Sequence, residues 1–228
     1  MQSSKLRIGI ISAEKSGDYL AASFIESLKS SGRDFELFGI GGKELDKFNI
    51  SRPQDFDREI LNVMGIIDPL KNLRQILRAR KQILDFLISK NINIFIGVDS
   101  PDLNSFFHKK LKKINSTINF QIVSPSVWAW RSGRVKQLRK FVDTTFCLFK
   151  FEHEYLKKNN VNSFHVGHPF QDIEKVEDVS SIKNRYGINN DSECLTFLVG
   201  SRRSEISSML PIYKKVIKKV YEGDKSYS

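Results

Sequence analysis

This 228-residue chain is short of several features that would announce a function. It has two cysteines, Cys147 and Cys194, far apart and without metal-type spacing. That excludes a disulfide framework and a zinc knuckle, and leaves two reduced, buried thiols as the expectation. No apolar run approaches the length of a membrane span, and Met-Gln-Ser-Ser-Lys leads directly into a strand-like run. Neither a spanning helix nor a signal peptide is therefore expected, and the expected compartment is cytoplasmic. Internal repeats, low-complexity tracts and clustered histidines are also missing. Acidic residues are few, since 26 Asp and Glu face 37 Lys and Arg for a formal charge of +11. The excess points to anionic partners, either phosphorylated substrates or a phospholipid surface. Nucleic acid is the weakest of the anionic options, because no nucleic-acid module is present and both tryptophans fall in one loop.

What is present is alternation. Strand-like runs at Leu6 to Ser12, Glu36 to Ile40, Ile94 to Val98, Ile118 to Val123, Thr144 to Phe149, Phe164 to Val166 and Cys194 to Val199 are mostly separated by helical patterns. This order predicts an α/β fold with a doubly wound, mostly parallel sheet. A boundary is expected after Gly167-His168-Pro169, giving a first domain over 1–169 and a linker with the start of a second over 170–228.

Two blocks carry the chemistry. Phe95 to Asn104 and Val123 to Arg131 each follow an apolar run and then break into polar and ring-bearing residues. In open α/β sheets, ligands bind outside the carboxyl ends of strands. Asp99 sits at such an end, where a carboxylate can accept a proton from a hydroxyl nucleophile. It could equally be a turn-stabilising Asp before Ser100-Pro101. Trp128 and Trp130 offer flat faces to sugar rings and Arg131 suits a phosphate, with at least one tryptophan expected in the core. Before the first helix, Ser16 can act as N-cap and Gly17 can admit an anion to the backbone; a simple capped helix is the ordinary alternative. Gly200-Ser201-Arg202, between a strand-like run and a helix-like segment, suits a diphosphate. His168 could touch a nucleotide or serve as a hinge.

These pieces resemble the lipid-A-disaccharide synthase family, bacterial glycosyltransferases built from two Rossmann-like halves in the GT-B architecture. The matching stretches are Ser12 to Asp18, Val63 to Ile66, Gly97 to Asn104, Val123 to Arg131, Cys147 to Glu152, Val166 to Pro169 and Gly200 to Ile206. The family has Gly where Ala13 stands and Pro where Val199 stands. The resemblance implies inverting, metal-independent transfer of 2,3-diacylglucosamine from its UDP derivative to 2,3-diacylglucosamine 1-phosphate, with no cofactor. It implies Asp99 as general base, and Glu14, Ser16, Gly17, Asp18, Asn104, Ser124, Ser126, Trp128 and Arg131 as substrate contacts. Ser201, Arg202 and Glu205 would meet the donor in a second half that is only begun here. Two other classes stay open: a truncated, non-catalytic lipid-binding fragment, and another UDP-sugar enzyme such as an epimerase. Homo-oligomerisation is also left open.

One further segment is ambiguous. From Ile67 to Leu87 apolar residues recur at helical spacing, and no acid stands between Lys71 and Leu84. An amphipathic helix packed on the sheet has this pattern, and so does one lying in a membrane interface. Because the implied acceptor is acylated, Ile67, Leu70, Leu73, Ile76 and Leu77 are expected to touch the cytoplasmic face of the inner membrane.

Overall fold

Short runs of Ile, Phe and Val that are apolar on both faces cannot satisfy their backbone alone, so they pair and bury both faces. In the computed structural model, which describes residues 5–54, 56, 73–114, 117–130, 132–169, 178–200 and 203–223, six such strands form one sheet. They are β1 (Leu6–Ser12), β2 (Phe35–Ile40), β3 (Ile94–Val98), β4 (Ile118–Ile122), β5 (Thr144–Cys147) and β6 (Ser163–His165). All neighbours are parallel, in the order β2-β1-β3-β4-β5-β6. The expected Rossmann-like α/β sheet is the architecture of this part of the chain. The order reverses between β1 and β3, which makes their carboxyl ends the topological switch point where ligands bind.

Helices α1 (Lys15–Ser30), α2 (Lys43–Asp46), α3 (Leu73–Ser89), α4 (Pro101–Ile114), α5 (Arg134–Phe141) and α6 (Lys150–Lys158) flank the sheet. On one face, Ala21 and Ile25 of α1 pack with Ile8, Ile10, Ile96, Val98 and Ile122. On the other, Ile83, Leu87, Phe107 and Leu111 from α3 and α4 pack with Ile11, Phe38 and Phe95. A third cluster joins Val127, Val135, Leu138, Cys147 and Leu156. The buried stripe of α4 is not purely apolar, since it includes Asn104 and His108.

Helix α3 corrects one expectation. Ile76 is buried, on the same stripe as Ala79, Ile83 and Leu87, because three- and four-residue steps return a helix to one face. It belongs to the core and cannot touch a bilayer. Leu73 and Leu77 are exposed, while Ile67 and Leu70 lie outside the described residues. Cys147 is buried as expected, whereas Cys194 is exposed.

The chain divides into two compact units, Met1–Asp172 and Ile173–Ser228. The second contains α7 (Val179–Arg185), capped by the Asp178 side chain accepting from the Ser181 N–H at 3.2 Å, and α8 (Arg203–Gly223). The run from Cys194 to Val199 is not a strand, contrary to expectation. A strand exists through its ladder, and among the described residues this run has none. None of the described residues of this unit is buried.

Candidate functional site

The first wall of the switch point comes from the turn between β1 and α1. Helix α1 opens at Lys15 with Glu14 as N-cap, so Ser16 lies exposed in the first turn and does not cap it. Gly17 is buried, and a Cβ there would stand 2.9 Å from Ser12 Oγ and 3.7 Å from Asp99 Cβ. Its lack of a side chain lets the first turn of α1 seat directly against the β3 exit. Asp18 is turned away from that cleft. Its buried carboxylate accepts the Gly42 N–H at 2.7 Å and the Glu44 N–H at 2.8 Å, so it caps α2. Asp18 thus fixes the frame and does not line the site.

The second wall is the β3 exit, and its backbone is strained. Asp99 and Ser100 have φ of 50° and 39°, and Val123 at the neighbouring β4 exit has 71°. Each left-handed non-glycine residue costs on the order of 1–3 kcal/mol, and a β-branched one is an outlier. Such strain persists only where surroundings over-determine it, and it concentrates at functional sites. Asp99 is half-buried and its N–H donates to Ile122 O at 2.9 Å. Asn104, expected to meet substrate, is fully buried and spends its amide on Asp99 O at 2.7 Å and Val98 O at 3.2 Å. It shapes the loop from behind.

The third wall follows β4. Ser124 is buried with its hydroxyl donating to Pro125 O at 3.1 Å, another correction to an expected contact. Val127 is anchored in the third core cluster, which turns its neighbours Ser126 and Trp128 outward. Trp128 and Trp130 are 48% and 54% exposed, so neither is a core residue. Trp128 meets Phe151 edge-on with centroids 5.1 Å apart, Phe149 stacks on Phe151 at 5.7 Å, and His168 lies 6.0 Å from Phe149. The Arg134 guanidinium sits 5.4 Å from the Trp130 ring and pairs with Asp102, tying the β3 and β4 loops. Sequence reasoning missed the extension of this ring wall by Phe149 and Phe151, although Phe-Lys-Phe-Glu directly after a strand was its signal.

Several expected residues stand elsewhere. Arg131, Ser201 and Arg202 lie outside the described residues. Glu205, in the first turn of α8, folds against Gly200, where a Cβ would stand 2.6 Å from its own Cβ. Among the described residues no group of three His, Cys, Asp or Glu side chains could hold a metal ion. The chain's one Asp-x-Asp sequence, Asp55-Phe56-Asp57, has both aspartates outside them.

The first unit of the chain folds as a Rossmann-like domain in which a glycine-seated helix start and a carboxylate on left-handed backbone stand at the switch point of the parallel sheet, and a ring wall follows the β4 and β5 exits. The chain matches the family model of lipid-A-disaccharide synthetase over residues 8–227, and it belongs to that family. It is 36% identical over 212 residues to a lipid-A-disaccharide synthase of Acinetobacter baylyi, covering 91% of this chain and 52% of that protein. With the Idiomarina loihiensis protein of the same name it shares 35% identity over 223 residues, or 95% and 56% of the two lengths. The chain spans about half the length of the curated relatives it matches. Among solved structures, a glycosyltransferase from Rickettsia africae ESF-5 aligns with a TM-score of 0.47 and 15% identity, over 84% of this chain and 52% of that one.

Proposed function

We propose that this chain carries the acceptor side of lipid-A-disaccharide synthesis, with Asp99 as general base. The 6-hydroxyl of 2,3-diacylglucosamine 1-phosphate would lose its proton to the Asp99 carboxylate as it attacks the anomeric carbon of UDP-2,3-diacylglucosamine. The new glycosidic bond forms with inversion as the bond to UDP breaks. One observation carries the reading: a carboxylate on left-handed backbone at the β3 exit, directly beside the glycine-seated turn of α1. Gly17 and Ser16 would border the acceptor, while Ser126, Trp128 and the Phe149–Phe151 pair would face its sugar ring. A groove of about 240 Å³ lined by Leu20, Phe24, Phe146 and Val166, together with the polar Ser23, Ser27 and His168, would take an apolar segment of the acceptor along its apolar side. Arg131, Ser201, Arg202 and Glu205 remain the proposed contacts for phosphate groups and donor, and the working place is the cytoplasmic face of the inner membrane.

A second reading, that the 228-residue chain binds acceptor without transferring sugar, is favoured by the second unit, none of whose described residues is buried. A donor pocket needs a packed frame. A UDP-release assay with both lipids, run beside calorimetric titration of UDP, separates the two. Turnover that falls about 100-fold in Asp99→Asn supports the catalytic reading. Turnover unaffected by that change removes Asp99 from the chemistry, and acceptor binding without turnover or UDP binding supports the second reading.

A further inference from the structure

The strained exits of β3 and β4 are held from behind by one side chain. Gln121, on β4, is buried on the sheet face covered by α4. Its Nε2 lies 3.1 Å from Asp99 O, 3.1 Å from Ile122 O and 3.2 Å from Val123 O. A primary amide has two N–H donors, so three carbonyls share them, and two belong to left-handed residues at the exits of different strands. At the other end, Gln121 Oε1 lies 3.0 Å from His108 Nε2.

That contact fixes which way round the amide sits. Since its nitrogen faces only carbonyl acceptors, its oxygen must accept, and His108 must donate from Nε2. The imidazole is therefore the Nε2–H tautomer, and its Nδ1 is buried without a partner. Burial favours this uncharged form. Glycine at position 97 makes room: a Cβ there would stand 2.9 Å from Gln121 Oε1 and 2.8 Å from Asn104 Cβ.

We propose that Gln121 is a positioning residue for the reaction: its amide clamps the β3 and β4 exits together, so that the Asp99 carboxylate and the loop bearing Trp128 address the same acceptor. The proposal rests on the reading of Asp99 as base. Methionine of similar length would fill the same space in the core but could not donate to a carbonyl. The clamp thus acts through direction more than through packing. His108 acts on Gln121, and a glutamine at position 108 that still donates to Oε1 would preserve the clamp.

The test uses the full 228-residue chain with Gln121→Met and His108→Gln. Hydrogen exchange is followed by mass spectrometry in peptides 98–103 and 122–127, with peptides 6–12 and 35–40 as reference. Binding of 2,3-diacylglucosamine 1-phosphate in detergent micelles is measured by calorimetry. In Gln121→Met the strand-exit peptides should exchange about tenfold faster or more, the reference peptides should be unchanged, and lipid affinity should fall by about tenfold. In His108→Gln both readouts should stay within about threefold of the unmodified chain. Unchanged protection at the exits overturns the proposal, as does exit loosening with unaltered affinity. Faster exchange in all peptides alike would make Gln121 a general core residue and overturn it as well. If the unmodified chain fails to bind the lipid, the acceptor reading fails, and the exchange arm alone then decides whether Gln121 holds the exits.

Discussion

Trp128 and Phe151 meet edge to face with ring centroids 5.1 Å apart, although Trp128 lies in the loop after β4 and Phe151 in the first turn of α6, and both stand about half-exposed. Glu152 holds this pair. Its buried carboxylate accepts from the Phe149 N–H at 3.3 Å, and the Trp128 indole N–H donates to it. Burial raises the Glu152 carboxyl above the usual range, and the hydrogen bonds from Phe149, Leu148 and Trp128 oppose that rise without cancelling it.

Replacing Glu152 with Leu keeps the packing volume and removes every acceptor. We expect a stability loss of about 1–3 kcal/mol by urea denaturation, the usual consequence of stranding buried donors. The near-ultraviolet circular dichroism of the tryptophans should flatten, because Trp128 loses its anchor. A variant with an unchanged tryptophan band would show that ring packing alone orients the wall.

His108 makes stability depend on acid. Burial lowers its pKa from 6.5 to about 4, against the smaller opposing influences of the Gln121 hydrogen bond and the Asp143 carboxylate. Between those values the unfolded chain binds more protons than the folded one. The contribution is therefore complete above pH 6.5 and is lost as pH falls toward 4. Its full size is on the order of 3 kcal/mol. Urea midpoints measured from pH 7.5 to 4.5 should fall for the unmodified chain relative to those of His108→Gln as pH falls. Parallel curves would mean that His108 does not titrate with unfolding.

Much of this architecture was legible from the sequence, for reasons that differ by element. β1 and β3 are short, mostly apolar runs bounded by polar turns, β5 shows β-branched and aromatic residues in Thr144 to Phe146, and the helices between them show a clear apolar stripe. Asp99 could be placed at a strand exit because Ile94 to Val98 ends abruptly before it. Cys194 to Val199 has the same appearance without being a strand, since pairing depends on neighbours that a local pattern cannot supply. The inward roles of Asp18, Asn104 and Ser124 were hidden for a similar reason: their partners are backbone groups as far as 26 residues away, as in the Glu44 N–H on Asp18. Gln121 and His108 did leave a trace, as polar residues at positions where a strand and a helix face the core. Left-handed backbone at Val123 left none, because β-branched residues disfavour it.

The exposed side of α3 carries the last prediction. Leu73 and Leu77 stand 48% and 52% exposed one helical turn apart, with Arg74, Arg78 and Lys81 exposed around them. Apolar side chains ringed by cations match an interfacial helix, which gains both from apolar burial and from attraction to anionic headgroups. Ile76 is the internal control, because it points into the core between them. Leu73→Ser with Leu77→Ser should therefore reduce co-sedimentation with vesicles containing phosphatidylglycerol while leaving the melting temperature within about 2 °C, as surface changes do. Ile76→Ser should do the reverse, weakening the fold by about 2–5 kcal/mol, in the range of large-to-small core substitutions. Raising salt to 0.5 M should weaken vesicle binding of the unmodified chain only in part, because screening reaches the arginines and not the leucines. Retention of full vesicle binding by the double serine variant would remove this face from any membrane contact.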